Sequence, residues 1–316
     1  MKGGSPDRYV KQYEFMHMLQ TPLAAHNPGP RYGEENIVNG WGITRSWPLG
    51  TPGAFPVHTG DKIVVKDMEC WQDFVHGPSL DWSEAEWEPF IKAAENAPAD
   101  KYRTVTFAPG LFEQTHFLCE IQNTLMAFYE YPDELKDLVK YLTDFEVRYA
   151  ETVCKHLHPE VIFRHDDWGS QKSTFMAPEM FEEFYMEGTK QIYDTYRENG
   201  VELVVHHSDS YAATLVEDMI HMGVDIWQGV MTTNDIPTLI DKYGEKITFM
   251  GGIDSALVDL EDWTPEGVDA VTKKACRDFG KRFFIPCTTV GGPNSVYPGV
   301  YEEIDKAIDE ASREDF

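Results

Sequence analysis

Basic side chains are scarce in this chain: 27 Lys and Arg stand against 54 Asp and Glu, for a formal net charge of −27. That balance excludes nucleic acid as a partner, because displacing counterions from phosphate needs a basic face. An anionic membrane surface is disfavoured for the same reason. Cysteine is sparse too. Cys70, Cys119, Cys154, Cys276 and Cys287 are odd in number and widely scattered, which argues against a disulfide framework and for a reducing, cytoplasmic setting. No apolar run reaches transmembrane length, and the opening "MKGGSPDRYV" lacks the apolar centre of a signal peptide. The chain has no G-x-G-x-x-G turn after its first strand, no tight C-x-x-C pair, no internal repeat and no low-complexity tract.

What is present is a full complement of core-forming residues. Hydrophobic types make up 42% of 316 residues and aromatics 13%, enough for one large folded domain spanning 1–316. The first 87 residues are rich in Gly, Pro and aromatics, so loops and short strands are expected there, laid over the main fold as an extension. The aromatics of that segment, Trp41, Trp47, Phe55 and Trp71, are expected mostly in the core.

Beyond it, short β-branched or aromatic runs alternate with amphipathic stretches. Strands are expected at 102–109, 160–166, 201–207, 224–229, 246–252 and 282–287. Helices are expected at 132–157 and 177–200, the second with Pro178 near its start and Gly200 at its stop. This alternation means a parallel sheet with helical crossovers, and at this length the expected closed form is the (β/α)8 TIM barrel. A doubly wound open sheet is the runner-up.

In a parallel barrel, chemistry sits where strands end. The chain places His165, Asp166, Asp167 and Trp168 after "VIFR", His206, His207 and Asp209 after "VELVV", and Trp227 and Gln228 in "VDIWQG". Asp254 follows "FMGGI", Cys287 follows "FFIP", and Glu113 follows the strand beginning at 102. Strand alternation gives His207 and Asp209 one phase and turns His206 to the opposite face. His207, Asp209 and Cys287 form a plausible zinc shell, since zinc accepts imidazole, carboxylate and thiolate. The plainer alternatives stay open: a packed strand-end His or Cys, and Asp209 as the cap of the following helix. For "HDDWG", a backbone cap competes with substrate binding or with tuning of an imidazole behind a metal.

Several segments together carry a resemblance: "KGGSPDRYV", "VKDMECWQDFV" (65–75), "DDWG", "HHSDS" through "MIHMGVDIWQG", "FMGGID" (249–254) and "FFIPCTT". In order and spacing they resemble the uroporphyrinogen decarboxylase superfamily, above all its cobamide-dependent methyltransferase branch, and within that the methoxy-arene O-demethylating enzymes. The likeness covers nearly the whole chain and implies a TIM barrel. It also implies a zinc motif in which His207 matches the family histidine, Asp209 its first cysteine and Cys287 its later cysteine. Glu113 is the substitute ligand. Asp209 departs from the family pattern; a harder oxygen ligand fits a donor with an ether oxygen better than a thiol. The decarboxylase itself matches poorly, since its Arg-containing amino-terminal motif of the type "MRQAGRY" is missing and Arg8, Arg31 and Arg45 stand in other contexts.

The resemblance therefore implies a zinc-dependent methyltransferase that moves a methyl group from a small methylated donor, expected to be a methoxylated aromatic, to the cob(I)alamin of a corrinoid protein. Asp166 and Asp167 are the expected catalytic carboxylates. His165, Trp168, Tyr211, Trp227, Gln228 and Asp254 are the expected substrate-binding residues. No Asp-x-His-x-x-Gly corrinoid signature occurs in the chain, so the corrinoid is expected on the partner. The sequence is compatible with a homodimer. The alternatives are a lyase or decarboxylase, and a metal-free ligand-binding member of the superfamily.

Overall fold

The computed structural model describes residues 5–51, 53–293 and 295–316. Residues 2–4 of the "KGGSPDRYV" segment lie outside the described residues. The chain groups into two compact units. One comprises Met1–Met16, Asp167–Phe175 and Leu203–Phe316; the other comprises His17–Asp166 and Met176–Glu202. The first strand, β1 (Met16–Leu19), lies where the chain passes from one unit to the other.

In the unit holding His17–Asp166, the loop-rich extension contains a small antiparallel sheet of β2 (Ile37–Val38), β3 (Thr44–Ser46) and β4 (Phe55–Pro56). The next strand, β5 (Tyr102–Phe107), pairs in parallel with β6 (Val161–His165), Thr104 opposite Val161. Between them runs the Pro132–Leu157 helix, whose bounds coincide with those expected from sequence. Pro132 opens it, Asp133 and Glu134 fall in its first turn, and Lys155 and His156 in its last, all matched to the helix dipole. Leu135, Leu138, Leu142, Phe145, Tyr149 and Val153 recur at three- and four-residue spacing and are all buried. Two loop aromatics pack on this helix, Trp41 against Phe145 with ring centroids 4.7 Å apart and Trp71 against Tyr141 at 5.4 Å. Of the four extension aromatics expected in the core, Trp41 and Trp71 are buried and Phe55 is exposed.

The helix expected at 177–200 forms with an interruption. Pro178–Phe181 and Glu187–Glu198 are α-helical, and Glu182–Met186 is a π turn. The wider turn lets the adjacent Phe184 and Tyr185 both face inward.

In the other unit, β7 (Leu203–His207), β8 (Ile226–Val230), β9 (Thr248–Ile253) and β10 (Phe284–Thr288) pair in parallel, each with the next. All five residues of β8 are buried, as expected of a strand covered on both faces. The Pro265–Phe279 and Val300–Asp315 helices close a core with Tyr9, Ile253, Val258, Val268, Ile304 and Ile308. Outside the small antiparallel sheet, seven strands are assigned among the described residues, one fewer than the eight expected. Among the described residues no helix is long and apolar enough to cross a membrane.

Candidate functional site

The end of β7 sets the register of one half of the candidate site. His206 lies opposite Trp227 and His207 opposite Gln228. The two imidazoles then diverge, as strand alternation requires. His206 is fully buried and stacks on Trp168 with ring centroids 4.1 Å apart. His207 is half-buried, and its Nδ1 pairs with the side-chain oxygen of Gln228. An amide oxygen only accepts, so in this pairing Nδ1 carries the proton. Gln228 in turn directs its Nε2 at Cys287 Sγ, 3.9 Å away, while that Sγ donates to the Thr288 carbonyl at 3.3 Å. Burial pushes the Cys287 thiol up to about 12.

Asp167 approaches the same strand end. Its Oδ1 accepts from the Asp209 backbone N–H at 2.9 Å, and a carboxylate oxygen of Asp167 and a ring nitrogen of His207 lie within 4.8 Å of each other. Both residues are half-buried. Carboxylate and neutral imidazole at that separation suit a divalent metal with oxygen and nitrogen preference, zinc among them. Asp209, Cys287 and Glu113 enter no cluster of three close donors among the described residues.

Asp209 is not the cap of the helix that follows. The Ala213–Leu215 turn has no side-chain cap, and the N–H groups of Ala212 and Ala213 are accepted by Asn234 Oδ1 at 2.9 and 3.0 Å. Asn234 is fully buried and also donates to the Ser210 and Met231 carbonyls, at 3.0 and 3.1 Å. Three of these four bonds pin the His207–Ala213 loop, a device missed from sequence; the only signal was an Asn shortly after a strand. The loop is fixed further by Trp227, whose Nε1 donates to the Ser208 carbonyl at 2.9 Å, and by Tyr211 N–H on the Ser170 carbonyl at 2.7 Å. Gly229, at φ +90°, lets β8 bulge where a Cβ would meet the Ser208 carbonyl at 3.0 Å. Trp168 and Trp227, expected against substrate, are both wholly buried. Asp254 caps the short Ser255–Val258 helix through the Ala256 N–H, 3.0 Å away.

The end of β6 in the other unit carries a second set. Asp166, expected as catalytic, is fully buried and accepts the N–H groups of Phe112 and Glu113 at 3.2 and 2.9 Å. These are first-turn donors of the Leu111–Cys119 helix, whose N-cap residue, Gly110, has no side chain to serve them. A Cβ on Gly110 would fall 2.5 Å from Asp166 Cβ, so the close approach requires glycine. Arg164, two residues back, is fully buried; it grips Glu146 through two bonds of 2.8 and 3.0 Å, and its Nη1 lies 3.6 Å from Asp166 Oδ2. His165 points the other way, with Nε2 3.4 Å from Glu113 Oε2.

Strand-helix alternation with polar residues collected at the carboxyl ends of parallel strands defines an α/β protein of TIM-barrel class. The chain belongs to the uroporphyrinogen decarboxylase family: the family described as "Uroporphyrinogen decarboxylase (URO-D)" matches residues 91–298. Among solved structures it is similar to a methyltransferase from Methanosarcina mazei, with a TM-score of 0.64 and 16% identity, over 95% of this chain and 80% of that one. A putative fructose-1,6-biphosphate aldolase from Coccidioides immitis aligns at a TM-score of 0.34 and 11% identity, over 72% of this chain and 70% of that one. No curated protein matches the sequence.

Proposed function

We propose that this chain is a metal-dependent methyltransferase acting as one uroporphyrinogen-decarboxylase-like domain. It takes a methyl group from a small methylated compound, a methoxylated aromatic by preference, and delivers it to the cob(I)alamin of a separate corrinoid protein. The observation that carries this reading is the Asp167 and His207 donor pair, within 4.8 Å, beside a strand end in a chain of this family. The methyltransferase from Methanosarcina mazei supports the reaction class.

In this reading His207 and Asp167 would hold zinc, each offering one donor atom. Bound zinc supplies Lewis acidity to the ether oxygen of the donor. Methyl transfer would leave the electron pair of the O–CH3 bond on oxygen as a phenolate, and the cob(I) nucleophile of the corrinoid protein would supply both electrons of the new bond, so no further oxidant or reductant would be needed. Gln228 holds the His207 tautomer, and the Asp209 N–H holds the Asp167 carboxylate. Tyr211 and Asp254 remain the candidate contacts for the rest of the substrate.

The set expected from resemblance, His207, Asp209 and Cys287 with Glu113 as substitute, is the competing shell. Zinc content of purified Asp167→Ala, Asp209→Ala and Cys287→Ser separates the two. Loss in the first alone supports the donor pair described here; loss in the other two supports the competing shell. Activity is read by adding reduced corrinoid protein and a panel of methoxylated aromatics, and following the cob(I) to methylcob(III) spectral change. Donor conversion at full rate without corrinoid would overturn the methyl-transfer reading in favour of a lyase.

A further inference from the structure

Two neighbouring residues of β8 serve the two halves of the proposed donor pair. Gln228 meets His207 Nδ1 directly. Trp227 reaches Asp167 through one peptide group. Its Nε1–H donates to the Ser208 carbonyl at 2.9 Å, and the N–H of the same peptide, that of Asp209, donates to Asp167 Oδ1, also at 2.9 Å. The Ser208–Asp209 peptide is trans, so its C=O and N–H lie in one plane and point in opposite directions. Fixing the carbonyl therefore aims the N–H. Three features secure that carbonyl. Trp227 and Ser208 are both wholly buried, which shields the bond between them from water. The Ser208 N–H is anchored on the Gln228 carbonyl at 2.9 Å, so Ser208 is held to β8 on both sides. Gly229, at φ +90°, leaves room where a Cβ would stand 3.0 Å from the Ser208 carbonyl. All of these residues, with Asp167, belong to one compact unit.

We infer that Trp227 is a positioning residue for the Asp167 carboxylate, acting through the Ser208–Asp209 peptide group. The inference moves Trp227 from the substrate wall to the rear of the site, and it gives residue 209 a role through its backbone N–H. Its consequence for zinc rests on the reading above, in which Asp167 acts with His207. Hydrogen bonds at the two ends of one amide polarise each other, so removing the indole donor weakens the Asp209–Asp167 bond as well as freeing the plane that carries it. Partners behind a metal ligand set its orientation, and losing one lowers metal affinity roughly 10- to 100-fold. Trp227 acts one group further back, which places it at the lower end of that range.

Ser208–Asp209 is the only Ser-Asp step in the sequence. The full chain labelled with 13C-carbonyl serine and 15N-aspartate, free of metal, therefore reports that peptide as a single amide signal. In wild type the Asp209 amide proton should lie downfield of its position in Asp167→Ala. Trp227→Phe, which keeps an aromatic ring and lacks the donor, should move it toward the Asp167→Ala position. Wild-type chain made with 5-fluorotryptophan, a stronger N–H donor, should move it the other way, and this arm needs no substituted chain to fold. In urea unfolding, Trp227→Phe and Asp167→Ala together should destabilise by less than the sum of the two alone, whereas an indole that only packs gives simple addition. Zinc competition titration should give an affinity lowered roughly 10-fold in Trp227→Phe. An Asp209 signal that stays in place in folded Trp227→Phe or in the fluorotryptophan chain overturns the inference, and so does simple addition. Shifts as stated, with zinc affinity indifferent to Asp167→Ala, overturn the metal reading and leave the positioning role intact.

Discussion

Gln228 is a single amide with two obligations, one to an imidazole and one to a thiol. Replacing it by Leu keeps its size and removes the acceptor of the His207 Nδ1–H. On the proposed reading zinc affinity should fall about 10- to 100-fold, while loss of two hydrogen bonds costs about 1–3 kcal/mol of stability; competition with a chromophoric chelator and urea unfolding measure the two separately. Normal zinc affinity in folded Gln228→Leu would mean that the His207–Gln228 contact is packing only. The cysteines give a second residue-scale outcome. Cys119, Cys154 and Cys276 share the buried state of Cys287, and burial pushes all four thiols up to about 12. Cys70 alone is half-buried. A chromogenic disulfide reagent at pH 8 should therefore titrate one thiol in the native protein and all five after denaturation. Two fast thiols in the native state would contradict the burial of Cys287.

At the level of elements, the seam between β6 and the Leu111–Cys119 helix is the most constrained joint in its unit. Gly110→Ala forces a Cβ to within 2.5 Å of Asp166 Cβ and should cost at least the 1–3 kcal/mol usual for overpacking. Asp166→Ala leaves Arg164 with one partner fewer and two helix N–H groups unserved, for a loss of about 3–5 kcal/mol. Urea midpoints decide both, and a loss below about 0.5 kcal/mol in either would refute the seam as described. All six strands expected from sequence formed, with bounds shifted by at most two residues, because a buried parallel strand writes itself as an apolar run. The π turn at Glu182–Met186 was not legible. A residue gained within a helix shifts the phase of only two aromatics, which a periodicity reading absorbs as noise. The bonds of Asp166 to the helix start were not legible for a related reason: nothing local to "HDDWG" says that a helix 55 residues earlier starts without a cap of its own.

For the molecule as a whole, the buried acids with raised pKa set the alkaline limit of stability. The folded-state pKa of Cys287 is about 12 against an ordinary 9.0, and Tyr149 is raised to about 12 from 10.0. For groups raised on folding, stability is fully present below the unfolded pKa and is lost as pH rises through the folded one. Unfolding free energy should therefore hold level to about pH 9 and fall between there and pH 12, which urea titrations at stepped pH can follow. A decline starting near pH 7 would point to other groups. The placement of polar residues such as His165, His207 and Asp254 at strand ends was legible at this scale because it follows from chain direction in a parallel sheet. The pairing of Asp167 with His207 was not, since it depends on how the loop after β7 is pinned by Asn234 from the next connection. The Gly110 contact has a final consequence, for the paths by which such a chain can change. A larger residue at 110 is admissible only after residue 166 has been shortened, and shortening 166 first strips the helix of its acceptor. Either order passes through a less stable protein, so the two positions can drift only as a pair.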